Sequence, residues 1–207
     1  MRKLLLLLIF FLILTGCAQY GKIKYDKDAF KEATTLTMLY KHSSMEKQGT
    51  FDGKFVTTST YYREIKSNIK KPAQITFKIE TLEKFNTLKP DGFIRVNNKT
   101  YPLKMTDITS VLKTDTKTKV SQTNDDTITA DRINLKTTTT ARTRTKRWKS
   151  MTGTITIPEN IEQEILKANF FAFRIYIDTR PVTFIIKRKD LAKLKSFFKA
   201  TEDSVPR

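Results

Sequence analysis

The sequence is short of the residues on which most recognisable chemistry is built. Its 207 residues include one cysteine (Cys17), one histidine (His42) and one tryptophan (Trp148), with six glycines and six prolines. A lone cysteine excludes an intrachain disulfide, so the fold must stand on its core alone. A lone histidine excludes a histidine metal cluster. The few glycines form neither a P-loop nor a G-x-G-x-x-G run, so no phosphate cradle of that type is expected. Acids are scarce too, 21 against 39 lysines and arginines, for a formal charge of +18. Carboxylate pairs such as Asp125-Asp126 sit in polar surroundings, whereas acid/base work needs buried groups with shifted pKa values. The expectation is a protein that is not an enzyme, with no metal and no cofactor.

What is present begins with Met1-Arg2-Lys3, an unbroken apolar run from Leu4 to Leu14, and then Thr15-Gly16-Cys17-Ala18-Gln19. That order of basic, apolar and small residues is the plan of a secretory signal peptide. Eleven apolar residues make only ~16 Å of helix against roughly 30 Å of hydrocarbon, which predicts a removable leader rather than a permanent span.

The tetrapeptide Leu14-Thr15-Gly16-Cys17 resembles the lipobox of bacterial lipoproteins, a match confined to the first 19 residues. The resemblance implies that residues 1–16 are cut away and that the Cys17 sulfur carries lipid. Two or more acyl chains hold a bilayer where one binds only marginally, so the implied attachment is firm. It also implies a place in the bacterial cell envelope. Ala18, where an Asp would favour the inner membrane, points to the outer membrane, with the leaflet left open.

Cleavage takes away Arg2 and Lys3 and no acid, leaving 191 residues with a formal charge of +16. That length suits one domain with a real core, and 14 phenylalanines argue against wholesale disorder. Residues 17–28 are polar and read as the lipidated cysteine followed by a flexible tether. From residue 29 to 207 the dominant period is two. Ile75, Phe77 and Ile79 alternate with polar neighbours, as do Met151, Gly153, Ile155 and Ile157, which is the pattern of strands with one wet face. Thr34–Lys41, Phe55–Tyr62, Phe93–Val96, Thr100–Met105, Phe170–Ile177 and Val182–Lys187 are rich in β-branched and aromatic residues and complete a set of eight strands. Asn97-Asn98-Lys99 and Asp178-Thr179-Arg180-Pro181 supply turns. With no βαβ spacing, the fold expected is mainly β: an antiparallel sandwich or barrel-like domain with two short helices. One helix follows Pro158. The other begins at Asp190 near the C-terminus and sets Leu191, Leu194, Phe197 and Phe198 on one face. Residues 114–145 hold 12 threonines and few large apolar residues, and read either as a long loop or as a β-hairpin.

One segment stands apart in charge. Between Asp131 and Glu159 there is no acid, yet Arg132, Lys136, Arg142, Arg144, Lys146, Arg147 and Lys149 lie there beside Trp148. In an extended chain Arg142, Arg144, Lys146 and Trp148 share one face, and such a comb suits an anionic polymer or head-group surface. The candidate anion-binding set is Arg142, Arg144, Lys146, Arg147, Trp148 and Lys149, with Cys17 as the lipidation site. The competing reading is that these cations keep an edge strand soluble and unpaired.

The expected partners are the lipid bilayer, through acylated Cys17, and anionic lipid, lipopolysaccharide or acidic glycan. Nucleic acid fits poorly, because the leader takes the chain out of the cytoplasm. The expected function is that of a non-enzymatic envelope lipoprotein with a basic binding surface. The alternative is a lipoprotein subunit that docks on another envelope protein through a β-edge.

Overall fold

The computed structural model describes the backbone of residues 20–50, 52–67, 69–129 and 132–204, and their side chains except at 122–138 and 203. The expected leader over residues 1–16 and the expected lipidation site Cys17 lie outside the described residues. The elements in chain order are β1 Ile23–Asp28, β2 Ala33–Lys47, β3 Lys54–Lys66, β4 Ile69–Lys70, β5 Ala73–Leu82, β6 Leu88–Val96, β7 Lys99–Thr129 and β8 Arg132–Ile157. Helix α1 Glu159–Lys167, β9 Phe171–Ile177, β10 Arg180–Ile186 and helix α2 Arg188–Lys199 follow. The chain is mainly β, as its period-two segments require, and the eight expected strands are all there. The pairings are antiparallel in the order β1-β2-β3-β5-β8-β7-β6-β9-β10, with β4 added to β3.

Alternation produces a curved sheet with one dry face. Along β5 the buried residues are Ala73, Ile75, Phe77, Ile79 and Thr81, and their neighbours face outward. The ring centre of Phe77 lies 4.5 Å from that of Phe173 on β9, and Phe173 lies 5.0 Å from Phe184 on β10. Three strands separate β5 from β9 in the sheet, so these contacts mean that the sheet folds back over its own apolar face. β10 comes to lie beside the C-terminal half of β2 without pairing with it, and the sheet is not closed into a barrel. Thr183 donates its backbone N–H to the Glu46 carboxylate at 2.7 Å, so a side chain bridges this seam in place of a ladder.

The helices lie against the core. Pro158 sits at the N-cap of α1, where its missing N–H costs nothing, and Glu159 and Glu162 occupy the first turn. α2 buries Leu191, Leu194, Phe197 and Phe198. It starts at Arg188, two residues before the expected Asp190, which instead places its acid in the first turn and complements the helix dipole. Between the helices lies Arg63 of β3, only 1% exposed. Its guanidinium makes a two-pronged bond to the Glu162 carboxylate, with Nη1 at 3.0 Å from Oε1, and Nη1 also donates to the Phe198 carbonyl at 3.1 Å.

One reading of the sequence needs amendment, and one open alternative is decided. Residues 23–28, expected as tether, form β1 and pair with Ala33–Met38 of β2. The segment is polar because it is an edge strand with a wet face, a composition it shares with a linker. The Thr-rich stretch, with its two readings, is a hairpin: β7 and β8 pair continuously from Thr109↔Thr152 to Thr129↔Arg132. Threonine's β-branched side chain favours this extended backbone even without a core beneath it.

Candidate functional site

The β7–β8 hairpin leaves the body of the sheet as an arm. β5 pairs with β8 only as far as Leu82↔Trp148, and β6 pairs with β7 only as far as Asp91↔Lys104. From Thr114↔Arg147 outward to Thr129↔Arg132 each strand runs sixteen residues, a reach of roughly 50 Å at the rise of a β-strand. Both outer edges of the arm are unpaired among the described residues.

Register decides what the arm presents. Ser110 pairs with Met151, so Lys113 stands opposite Trp148, Asp115 opposite Lys146, Lys117 opposite Arg144 and Lys119 opposite Arg142. Paired residues project from the same face of a hairpin. One face therefore carries Lys113, Lys117, Lys119, Arg142, Arg144 and Lys146 beside Trp148, with Asp115 the single acid between Lys113 and Lys119. On β8 the cations recur about every 7 Å, and Lys117 and Lys119 of β7 stand about 5 Å across from Arg144 and Arg142, a grid rather than a comb. All six are exposed. The Lys146 ammonium lies 5.6 Å from the centre of the Trp148 ring, and Asp115 is 3.6 Å from Lys117.

The opposite face is nearly free of charge over the same stretch. Beyond Leu112 and Thr114, which pair with Lys149 and Arg147, it presents Thr116, Thr118 and Val120 against Thr145, Thr143 and Ala141. Hydroxyls pair across it, Thr116 with Thr145 at 3.3 Å and Thr118 with Thr143 at 3.1 Å. Arg147 and Lys149 belong to this second face at the root of the arm. Arg147 reaches Glu83 at 3.8 Å and Lys149 donates to the Asn86 side-chain oxygen at 2.7 Å, so both brace the arm against the β5–β6 connection. Of the six candidate residues, the structure thus brings Arg142, Arg144, Lys146 and Trp148 together and turns Arg147 and Lys149 away.

Sequence reasoning missed the three lysines of β7. Their period-two spacing is plain, but their membership of the same face depends on a bulge. Met105 pairs with Ile155 and Thr106 with Thr154, whereas Thr109 pairs with Thr152, so β7 carries one extra residue at the arm's root. Asp107 absorbs it with φ of +50°, in the left-handed region that Asp tolerates better than most residues.

Among the described residues no group of acids, histidines or cysteines is placed to hold a metal ion, and no helix is long and apolar enough to cross a membrane. Comparison with known protein families, curated proteins and solved structures returns no match.

Proposed function

We propose that this chain is a lipid-anchored lipoprotein of the bacterial envelope, and that its non-enzymatic task is to present the β7–β8 arm to an anionic partner. The observation that carries this reading is the segregation of six cations and an indole onto one face of a projecting hairpin. A linear polyanion or an anionic membrane surface laid along that face meets several ammonium and guanidinium groups at once. Each neutralised anion on a polyelectrolyte releases counterions, so binding should weaken steeply with salt. The Leu14–Cys17 lipobox supports the anchor, and acyl chains on Cys17 would keep the arm at a membrane.

The test uses heparin and anionic liposomes at graded salt. The Arg142→Glu, Arg144→Glu, Lys146→Glu triple variant should bind at least tenfold more weakly than wild type, with a shallower salt slope. Reversing the exposed Lys89, Lys104 and Lys167, which lie off the arm, should cost far less. Equal losses would reduce the reading to diffuse net charge. The anchor has its own test: radioactive fatty acid should label the wild-type protein in cells and fail to label Cys17→Ser.

A second reading rests on the unpaired edges of the arm. A two-stranded ribbon is marginally stable alone, and another envelope protein could add a strand to it. Co-purification of one stoichiometric protein that survives high salt would favour that reading over polyanion binding.

A further inference from the structure

β2 shares its outer edge between two neighbours. β1 pairs with Ala33–Met38, β10 lies along the C-terminal half, and a cleft of 630 Å3 opens where the two meet. Tyr20, Tyr40, His42, Lys54, Lys187 and Lys193 are among the residues that line it. With Lys41 and Lys189 there are five lysines, against the single carboxylate of Asp190. The cleft is of the size that small-ligand sites take.

Two polar atoms in its wall have no partner. Tyr40 and His42 are each only 5% exposed, and the Tyr40 hydroxyl and His42 Nε2 are both buried without a hydrogen bond among the described residues. The rings stack at 5.4 Å, so they are held as a pair. Buried groups of this kind normally find a partner, because leaving one unmade costs the desolvation of the group. The Tyr40 hydroxyl and the Lys193 ammonium both lie within 2.9 Å of the point where a Cβ on Gly21 would sit. Gly21 has φ of +73°, which glycine adopts freely, and its lack of a side chain lets the backbone pass close to both groups.

We propose that this cleft binds a phosphate group, with Lys187 and Lys193 supplying charge and Tyr40 and His42 supplying neutral donors. Four donors converging from two sides, Tyr40 and His42 on β2 and Lys187 at the N-cap of α2 with Lys193 within it, suit a tetrahedral oxyanion better than a planar carboxylate. Burial lowers the His42 imidazole to about 4, so at neutral pH it is uncharged and carries one N–H, while burial raises the Tyr40 phenol to about 12 and keeps its proton in place. The volume beyond the phosphate leaves space for the rest of an ester. Tyr20, at the cleft, is three residues from Cys17, a span of at most about 10 Å. On the anchored reading above, the cleft therefore sits at the depth of the lipid head groups, whose phosphates are one source of the ligand. Free phosphate esters are the other.

The sole histidine gives a single imidazole resonance by which to follow the site. The full chain in neutral, phosphate-free detergent micelles would be titrated with inorganic phosphate, with phosphatidylglycerol, and with diacylglycerol of the same chain length. A saturable shift of the His42 resonance with a phosphate-bearing probe, and none with diacylglycerol, is the expected result. Response to phosphatidylglycerol alone assigns the head group, and response to inorganic phosphate assigns the free ion. The Lys187→Gln, Lys193→Gln variant should bind at least tenfold more weakly while its far-ultraviolet spectrum and urea unfolding midpoint stay those of wild type. No saturable shift with either phosphate probe, equal affinity in the variant, or an equal response to diacylglycerol would overturn the proposal. The titration does not need the lipid on Cys17. A fatty-acid-labelled chain that fails to bind phosphate sinks the cleft alone, and an unlabelled chain that binds it sinks only the anchor.

Discussion

Arg63 is 1% exposed and His42 5%, and each ties the fold to a charge in its own way. A guanidinium and a carboxylate removed from water stabilise a fold only while both are present and well bonded. Glu162→Ala leaves Arg63 charged, buried and short of its main partner, and should cost about 3 to 5 kcal/mol in urea unfolding. The Arg63→Met, Glu162→Leu pair, which removes both charges and keeps the volume, should recover most of that loss. His42 makes stability depend on pH in a definite direction. Its folded pKa, about 4, lies below the ordinary 6.5, so the folded state resists the proton that the unfolded chain accepts. Stability is full above pH 6.5 and falls as the pH drops toward 4, with about 2 kcal/mol lost by pH 5. His42→Phe, which keeps the stack on Tyr40, should remove that part of the acid dependence in urea titrations at pH 7.5 and 5. A variant with the same slope as wild type would move the origin of any acid sensitivity elsewhere.

At the level of elements, period two carried most of the fold, since Ile75–Ile79 and Met151–Ile157 show their dry face in the sequence itself. The turns were legible as well: Asn97 adopts φ of +50° and Asp178 +54°, as their side chains allow. β1 was not legible because Ile23–Asp28 has the composition of a linker, and only its neighbour β2 makes it a strand. The Arg142–Trp148 comb was visible, but its doubling by Lys113, Lys117 and Lys119 was not, because register between distant strands is fixed by a bulge that no local pattern announces. That bulge offers a test in which net charge and register predict opposite signs. Asp107→Pro removes an acid, so diffuse charge would strengthen heparin binding. Proline cannot adopt φ of +50°, so the bulge is lost, the two sets of cations fall out of step, and binding should weaken. Hydrogen exchange should quicken at the root of the arm in the same variant.

For the whole molecule, the sheet has exposed edges to manage. β1 covers the N-terminal half of β2, and β10 shields the rest without pairing. A chain that starts at Ala29 loses β1 and bares the edge of β2 from Ala33 to Met38. Such an edge is a template for another strand. The truncated protein should keep a β-dominated far-ultraviolet spectrum yet elute as dimers or larger species in gel filtration, whereas a chain that starts at Tyr20 should not. A monomeric truncation would mean that β1 contributes nothing to guarding the edge.

The arm also bears on how this protein can vary by descent. Beyond the braces from Arg147 and Lys149 the described side chains, those of residues 114–121 and 139–145, meet each other and solvent rather than the core, so packing does not set the length of this stretch. Loss of Lys117-Thr118 together with their partners Thr143-Arg144 removes two residues from each strand and preserves the parity of both faces. The arm shortens by about 7 Å, and the melting temperature of the body should not move. Loss of a single residue from one strand instead turns every side chain beyond it to the other face. Inherited insertions and deletions here should therefore come in matched pairs, making the reach of the arm a quantity that selection can tune in steps without rebuilding the fold.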